Sequence, residues 1–245
     1  MKKLTVLFSI FSLILLLAVP TSFAATESNI SKFEDHLKSL DQSDPYVQTQ
    51  IGKYQKLSQS DKERFTDLVY DAEVHNQALG IIQEVGQPVS KNKMTTATND
   101  DVSVTLADGD VVITGVSEFG TSKPSVSVQS ISAKASEYSA WGSWAWTMTF
   151  LGIDLTTIKS KVFYTINANN KVLRSDSCVN THSNIDPLII VSDGTSSHFK
   201  SGEYAFGNGP FTVYGTPTLG FVSSSVSVIV KSKPGDTTGW RESAN

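Results

Sequence analysis

The sequence predicts an α+β protein in which a short N-terminal helical segment precedes an antiparallel β-sandwich or a barrel-like β domain. Apolar residues recur at helical spacing between residues 25 and 85, and they alternate with polar residues from residue 101 onward. The composition changes between these two regions, because all four tryptophans lie in the second one. A chain of 245 residues with 39% hydrophobic residues is long enough to bury one sizeable core.

Residues 1–24 have the organisation of a secretory signal peptide. A basic start precedes an apolar run from Leu4 to Val19, and Ser22-Phe23-Ala24 supplies the small residues of a cleavage site. The apolar run is short for a membrane-spanning helix. We therefore expect cleavage after Ala24, a secreted extracellular protein, and no membrane span after removal of the signal. A basic signal and a Cys-poor chain are typical of exports from Gram-positive bacteria.

Three or four short amphipathic helices are predicted in the helical region, residues 25–85. Their start signals are two pairs with capping-box spacing and one Asp-Pro step: Ser31 with Glu34, Ser60 with Glu63, and Asp44-Pro45. Gly86 and Pro88 end the last helix. Each helix has one apolar stripe, so it must pack on its neighbours, on the β region or on a partner.

Residues 86–100 are polar and predict an exposed linker. Lys91-Asn92-Lys93 within it is a candidate cleavage point, because proteolysis concentrates in exposed polar segments. The linker is compatible with two roles for the helical region. The helices are either a permanent part of the fold or a removable pro-segment that covers an apolar surface until cleavage.

Residues 101–233 predict eight to ten short strands with Gly, Asn and Asp turns, and residues 234–245 predict a polar C-terminal tail. Asp108-Gly109 is typical of a hairpin turn between the first two strands. Alternating residues on one strand share a face that is expected in the core: Trp144, Trp146, Met148 and Phe150. The alternative for Trp144 and Trp146 is an exposed surface on which sugar rings stack.

Composition and motifs exclude several classes of function. A net charge of −4 gives no electrostatic basis for binding nucleic acid. A single cysteine excludes an internal disulfide and a Cys-rich zinc site. The chain lacks the HExxH, GxSxG, P-loop, GxGxxG and EF-hand motifs, so we assign no catalytic residue, no metal site and no cofactor.

Three aromatic residues are the predicted ligand contacts: Trp141, Tyr204 and Phe206. Trp141 is out of phase with the core-facing tryptophans, and the other two lie in a Gly-rich run, residues 201–210. Flat aromatic rings stack on the C–H faces of sugars at low cost in side-chain entropy. The predicted ligand is cell-wall glycan or another extracellular polysaccharide. The competing interpretation of the Gly-rich run is a wide hairpin connection with tight turns.

The histidines and the cysteine are candidates for catalysis. His182 and His198 lie in segments rich in hydroxyls and carboxylates, from which a Ser–His–Asp arrangement or a His/Asp metal site can be built. Ordinary turns have the same composition. Cys178 is either a thiol nucleophile or a small buried hydrophobe. His36 and His75 are expected on the solvated flanks of helices.

The sequence favours a secreted, non-enzymatic β-sandwich protein that binds an extracellular ligand. The first alternative is a secreted toxin or antimicrobial precursor with a removable helical pro-segment. The second alternative is a secreted hydrolase that uses the loop histidines.

Overall fold

A computed structural model describes residues 28–83, 102–122, 137–220 and 223–243, and every structural statement below refers to these ranges. The predicted signal peptide, residues 1–24, and the predicted linker, residues 86–100, lie outside the described residues.

Four consecutive helices form the N-terminal part of the described chain. They are α1 (Asn29–Ser39), α2 (Pro45–Gln55), α3 (Gln59–Val69) and α4 (Ala72–Gln83). The Asp44-Pro45 signal is confirmed, since the Asp44 side chain accepts the Tyr46 N–H and Pro45 is the first helical residue. None of these helices is both long and apolar enough to cross a membrane.

Two helices begin earlier than the capping-box signals predict. The Ser28 hydroxyl caps α1 by accepting the Ser31 N–H, and the Ser58 hydroxyl caps α3 by accepting the Asp61 N–H. Serine is a good N-cap in either place, and the Ser58 hydroxyl also donates to the Asp61 carboxylate three residues later. The earlier serine adds three residues to the start of α1 and two residues to the start of α3.

Two antiparallel five-stranded sheets follow, which confirms the predicted α+β class with a β-sandwich. Sheet A has the order β1-β2-β3-β4-β5 and consists of β1 (Val102–Leu106), β2 (Val111–Thr121), β3 (Tyr138–Phe150), β4 (Ile153–Ile166) and β5 (Val172–Asn184). Sheet B has the order β10-β9-β8-β6, with β7 also paired to β8, and consists of β6 (Ile189–Asp193), β7 (Ser197–Ser201), β8 (Tyr204–Gly215), β9 (Ser224–Lys233) and β10 (Asp236–Ser243).

The segment assigned to a polar C-terminal tail contains β10. This strand pairs with β9 from Asp236 to Ser243. Its inward residues are Thr237, Gly239 and Arg241, which do not form the apolar alternation by which strands are recognised. Arg241 is buried because its guanidinium lies over the Trp146 ring, 4.0 Å from the centroid, and donates to the Ile81 carbonyl of α4.

The core lies between the inner faces of the two sheets. Trp144, Trp146, Met148 and Phe150 are all buried there, as the alternation predicts. Sheet B approaches these tryptophans very closely at Gly239 of β10. A Cβ atom at Gly239 would lie 2.1 Å from Cγ of Trp144, so only glycine fits this position.

The four helices pack over one end of the sandwich and share its hydrophobic core. Polar contacts fix α2 on the β3–β4 hairpin, where the Tyr46 hydroxyl donates to the Asp154 carbonyl at 2.7 Å and Lys53 Nζ lies 2.9 Å from the Asp154 carboxylate. Arg64 of α3 forms an ion pair with Asp110 in the β1–β2 connection. The helices and the sandwich are therefore one packed unit.

The expectation that His75 lies on a solvated flank is wrong, because its side chain is fully buried. His75, Ala78 and Leu79 have the i, i+3, i+4 spacing of one helix face, and this face of α4 points inward. The ring tolerates burial because the Asp186 carboxylate lies 2.9 Å from Nε2. His36 is half-buried, and its Nε2 lies 3.1 Å from the Ile185 carbonyl oxygen.

The close approach at Gly239 predicts opposite effects for two glycine-to-alanine substitutions. Gly239→Ala is expected to lower the free energy of unfolding by about 1–3 kcal/mol, the usual cost of overpacking. Gly80→Ala, in α4 with open space around its Cα, is expected to raise it by about 0.5–1 kcal/mol. Urea unfolding of both variants measures these changes, and a Gly239→Ala variant as stable as wild type would contradict the packing described.

Candidate functional site

The three predicted ligand contacts lie on two opposite surfaces of the sandwich. Trp141 is on the outer face of sheet A, whereas Tyr204 and Phe206 are on the outer face of sheet B. The inner faces of these sheets pack on each other, as shown by the 3.0 Å contact between the Tyr164 and Ser232 hydroxyls. The outer faces therefore point in opposite directions, and no single site contains all three residues.

The Trp141 ring is half-buried and has a cationic partner within the protein. Lys161 Nζ lies over the indole, 3.7 Å from the centroid of the ring. Gly120 is the cross-strand neighbour of Trp141, and a Cβ atom there would lie 2.6 Å from the indole Nε1. Partial burial and the nearby Lys159 lower the pKa of Lys161. This arrangement holds the indole against the sheet and covers one of its faces.

The Gly-rich run, residues 201–210, is a tight hairpin turn followed by a strand and not a wide loop. Ser201 pairs with Tyr204, so Gly202 and Glu203 are the turn residues of the β7–β8 hairpin. Gly207 and Gly209 are on the inner face of β8. A Cβ atom at Gly207 would lie 2.8 Å from the Cys178 sulfur, and one at Gly209 would lie 2.0 Å from the Ser160 hydroxyl. Because neither glycine has a side chain, sheet B can lie close to sheet A at both positions.

Three rings form an aromatic strip on the outer face of sheet B: Phe199, Tyr204 and Phe206. Phe199 and Phe206 are cross-strand partners with ring centroids 4.9 Å apart and an interplanar angle of 1°. Tyr204 meets Phe206 edge-on at 6.5 Å. Phe199 remains 54% exposed, so a large apolar ring faces solvent on this surface.

Phe199 is the member of the aromatic strip that sequence reasoning missed. It precedes Phe206 by seven residues, and its position beside that ring depends on the register of the β7–β8 hairpin. The signal for this register was Gly202 in the Ser201-Gly202-Glu203-Tyr204 segment, because glycine favours the left-handed conformation that Gly202 adopts, with φ of 56°.

Charged groups from β9 and β10 hold Tyr204 in place. Lys231 Nζ and Lys233 Nζ lie over its ring, 4.1 and 4.5 Å from the centroid. The Tyr204 hydroxyl donates to the Asp236 carboxylate at 2.6 Å. Lys233 also forms an ion pair with Glu203 at 3.2 Å. No carboxylate of the described residues lies within ion-pair distance of Lys231, which leaves a cation beside the aromatic strip.

The two candidate catalytic histidines lie on strands and not in loops, and they contact separate partners. His182 of β5 places Nδ1 2.8 Å from the Asp193 carboxylate, whereas His198 of β7 places Nδ1 3.1 Å from the Ser175 hydroxyl. The Ser196 hydroxyl, in the same polar segment as His198, donates to the Cys178 carbonyl at 2.7 Å. These contacts do not assemble a hydroxyl, a histidine and a carboxylate into one chain of hydrogen bonds.

The Cys178 side chain is that of a buried hydrophobe. It is 8% exposed, its sulfur lies 3.9 Å from the Ser160 hydroxyl, and burial raises the pKa of the thiol. Its protonated form is a poor nucleophile and a poor metal ligand. Throughout the described ranges, His, Cys, Asp and Glu side chains form no group of three or more that could hold a metal ion.

Comparison with known proteins gives no match: no protein family, curated protein or solved structure is significantly similar to this chain.

Burial of the single cysteine predicts slow reaction with thiol reagents. Native protein is expected to react with an aromatic disulfide reagent at least about a hundredfold more slowly than protein unfolded in guanidinium, because the buried thiol is both protonated and covered. A Cys178→Ala, Val179→Cys double variant is the matched control, since Val179 is the next residue and is 46% exposed. Equal rates for Cys178 and the control would contradict the burial described.

Proposed function

We propose that this chain is a secreted, non-enzymatic β-sandwich protein that binds an extracellular polysaccharide, such as a cell-wall glycan, through the aromatic strip. The observation that carries the proposal is the parallel stack of Phe199 on Phe206 on an outer sheet face, with Phe199 more than half exposed. The secretory signal in residues 1–24 supports an extracellular ligand.

Exposed aromatic rings need an explanation, because burying a phenylalanine side chain stabilises a protein by about 1.5–3 kcal/mol. The Phe199 ring is not buried and so does not gain this stabilisation in full, and its neighbour Phe206 is only partly buried. Sugar rings cover aromatic rings with axial C–H groups, and hydroxyls at their edges accept hydrogen bonds. The Lys231 ammonium beside the strip supplies a donor for such hydroxyls or for an acidic group on the glycan.

Trp141 is not part of the proposed contact surface. It lies on the opposite side of the sandwich, and Lys161 covers one face of its ring. One glycan chain lying on the aromatic strip does not reach it. The hydrolase alternative has weaker support, because His182 and His198 have separate polar partners.

Removal of both phenylalanines tests the proposal. The Phe199→Ala, Phe206→Ala double variant is expected to have an affinity about 10- to 100-fold lower than wild type for the polysaccharide that wild type binds, as measured by co-sedimentation. Each aromatic contact contributes roughly 1 kcal/mol or more to binding. The panel consists of insoluble cell walls, cellulose and chitin, incubated with the purified mature protein.

Two variants serve as controls in the same assay. Ile190→Ala removes a 59% exposed side chain from the same outer face of sheet B, and Trp141→Ala removes the aromatic ring on the opposite face. Both are expected to sediment like wild type. The proposal is overturned if wild type binds none of the polysaccharides, or if the double variant binds as well as Ile190→Ala.

The precursor alternative makes a different prediction about the secreted protein. Because the helices share the hydrophobic core of the sandwich, we expect the intact mass of the protein in culture supernatant to fit a single species that starts at Ala25. A species that starts near Lys93 would instead favour the toxin or antimicrobial precursor.

A further inference from the structure

The contact between α4 and the β5–β6 connection is a buried pair of titratable groups, His75 and Asp186. Both side chains are fully buried, and 2.9 Å separates His75 Nε2 from the Asp186 carboxylate. The other ring nitrogen, Nδ1, lies 3.1 Å from the Asp71 carbonyl oxygen, which can only accept a hydrogen bond. Both nitrogens thus face acceptors, and only the doubly protonated imidazolium donates to both.

The carboxylate in this pair has a fixed geometry. Asp186 accepts the Leu188 N–H on its other oxygen at 2.8 Å, so the loop itself orients it toward α4. Phe150 of β3 packs beside the imidazole, with ring centroids 5.2 Å apart. A neutral His75 would leave one buried acceptor facing an unprotonated nitrogen, and a buried, unsatisfied polar group is costly.

Several other titratable groups face this pair from the surrounding elements. Asp71 precedes α4, His36 of α1 contributes a second imidazole near Asp186, and Tyr46 of α2 contributes a phenol. Burial lowers the pKa of His36, so this residue is neutral where His75 is charged. Burial raises the pKa of Tyr46, which stays neutral throughout. Asp186 and Asp71 are the negative groups that His75 meets.

We propose that the His75–Asp186 pair is a protonation-dependent latch that holds the four-helix segment on the sandwich. With the proton on His75, the ring bridges α4 and the β5–β6 connection. When that proton passes to solvent at higher pH, the bridge loses a hydrogen bond and its charge attraction, and the packing of α4 on the end of the sandwich near Phe150 becomes less stable. The latch is independent of the ligand-binding proposal, because the aromatic strip lies on the outer face of sheet B.

The direction of the pH dependence follows from the environment of the ring. Burial opposes the charged imidazole, but the Asp186 carboxylate and the hydrogen bonds outweigh burial, so the pKa of His75 is raised above its ordinary value of 6.5. The stabilisation is therefore complete below pH 6.5 and is lost as the pH rises through the higher pKa of the docked state. Protonation of His36 opposes docking only at acidic pH, below the window of the test.

Hydrogen exchange of the full mature protein at pH 6.5, 8 and 9.5 tests the latch. Protection factors of α4 amides are expected to fall about tenfold for each unit by which the pKa of His75 exceeds 6.5, whereas those of β3 and β4 fall less. The His75 ring titration, followed by NMR in the same samples, is expected above pH 6.5. A titration at or below 6.5, or α4 protection that is the same at all three pH values, would overturn the proposal.

Variants separate the latch from general effects of pH. In His75→Gln, α4 is expected to be less protected than wild type at pH 6.5 and to show no further loss up to pH 9.5. His182→Gln is the matched control, because the His182–Asp193 pair has a similar distance, 2.8 Å, but is exposed. Its pH profile should follow wild type. A folded His75→Gln variant with the wild-type profile would overturn the latch; if that variant does not fold, the wild-type ring titration decides.

Discussion

The close approach of the two sheets is the constraint on which the rest of the structure depends. Trp144 occupies the space that a side chain at Gly239 would need, and Gly207 and Gly209 allow β8 to lie close to β4 and β5. Successive side chains of a strand point to opposite faces of its sheet. Because the neighbouring positions face the interior, Trp141 and Phe199 lie on the outer faces. The outward positions of Trp141 and of the aromatic strip are thus a consequence of how the core is packed.

The sequence predicted those parts of the fold that depend on local periodicity. The alternation around Trp144 and Trp146 identified the core strand, and Asp44-Pro45 identified a helix start, because each signal lies within a few residues of its effect. The aromatic strip was predicted only in part, since the position of Phe199 beside Phe206 depends on a hairpin register. The contact of His75 with Asp186 was not predictable, because the two residues are 111 positions apart along the chain.

The helical segment is attached by polar contacts at its periphery and by one buried ion pair in its interior. Asp154 and Asp110 lie at turns of sheet A and receive cationic side chains from α2 and α3, where solvent weakens the attraction. His75 and Asp186 have no such screening, so their contact is more specific and also more sensitive to the loss of one charge. A segment attached in this way combines a large shared core with a buried electrostatic contact.

One edge of sheet B is formed by two short strands rather than one long strand, and this limits self-association through that edge. β6 and β7 pair with successive halves of β8, and Gly194 lies between them with its N–H bound to the Pro210 carbonyl. An incoming strand from another molecule therefore meets no more than five consecutive residues in register on this edge. Short edge strands are one way in which natural sheets avoid edge-to-edge aggregation. The division of this edge therefore limits the number of backbone hydrogen bonds that a second molecule can form with it.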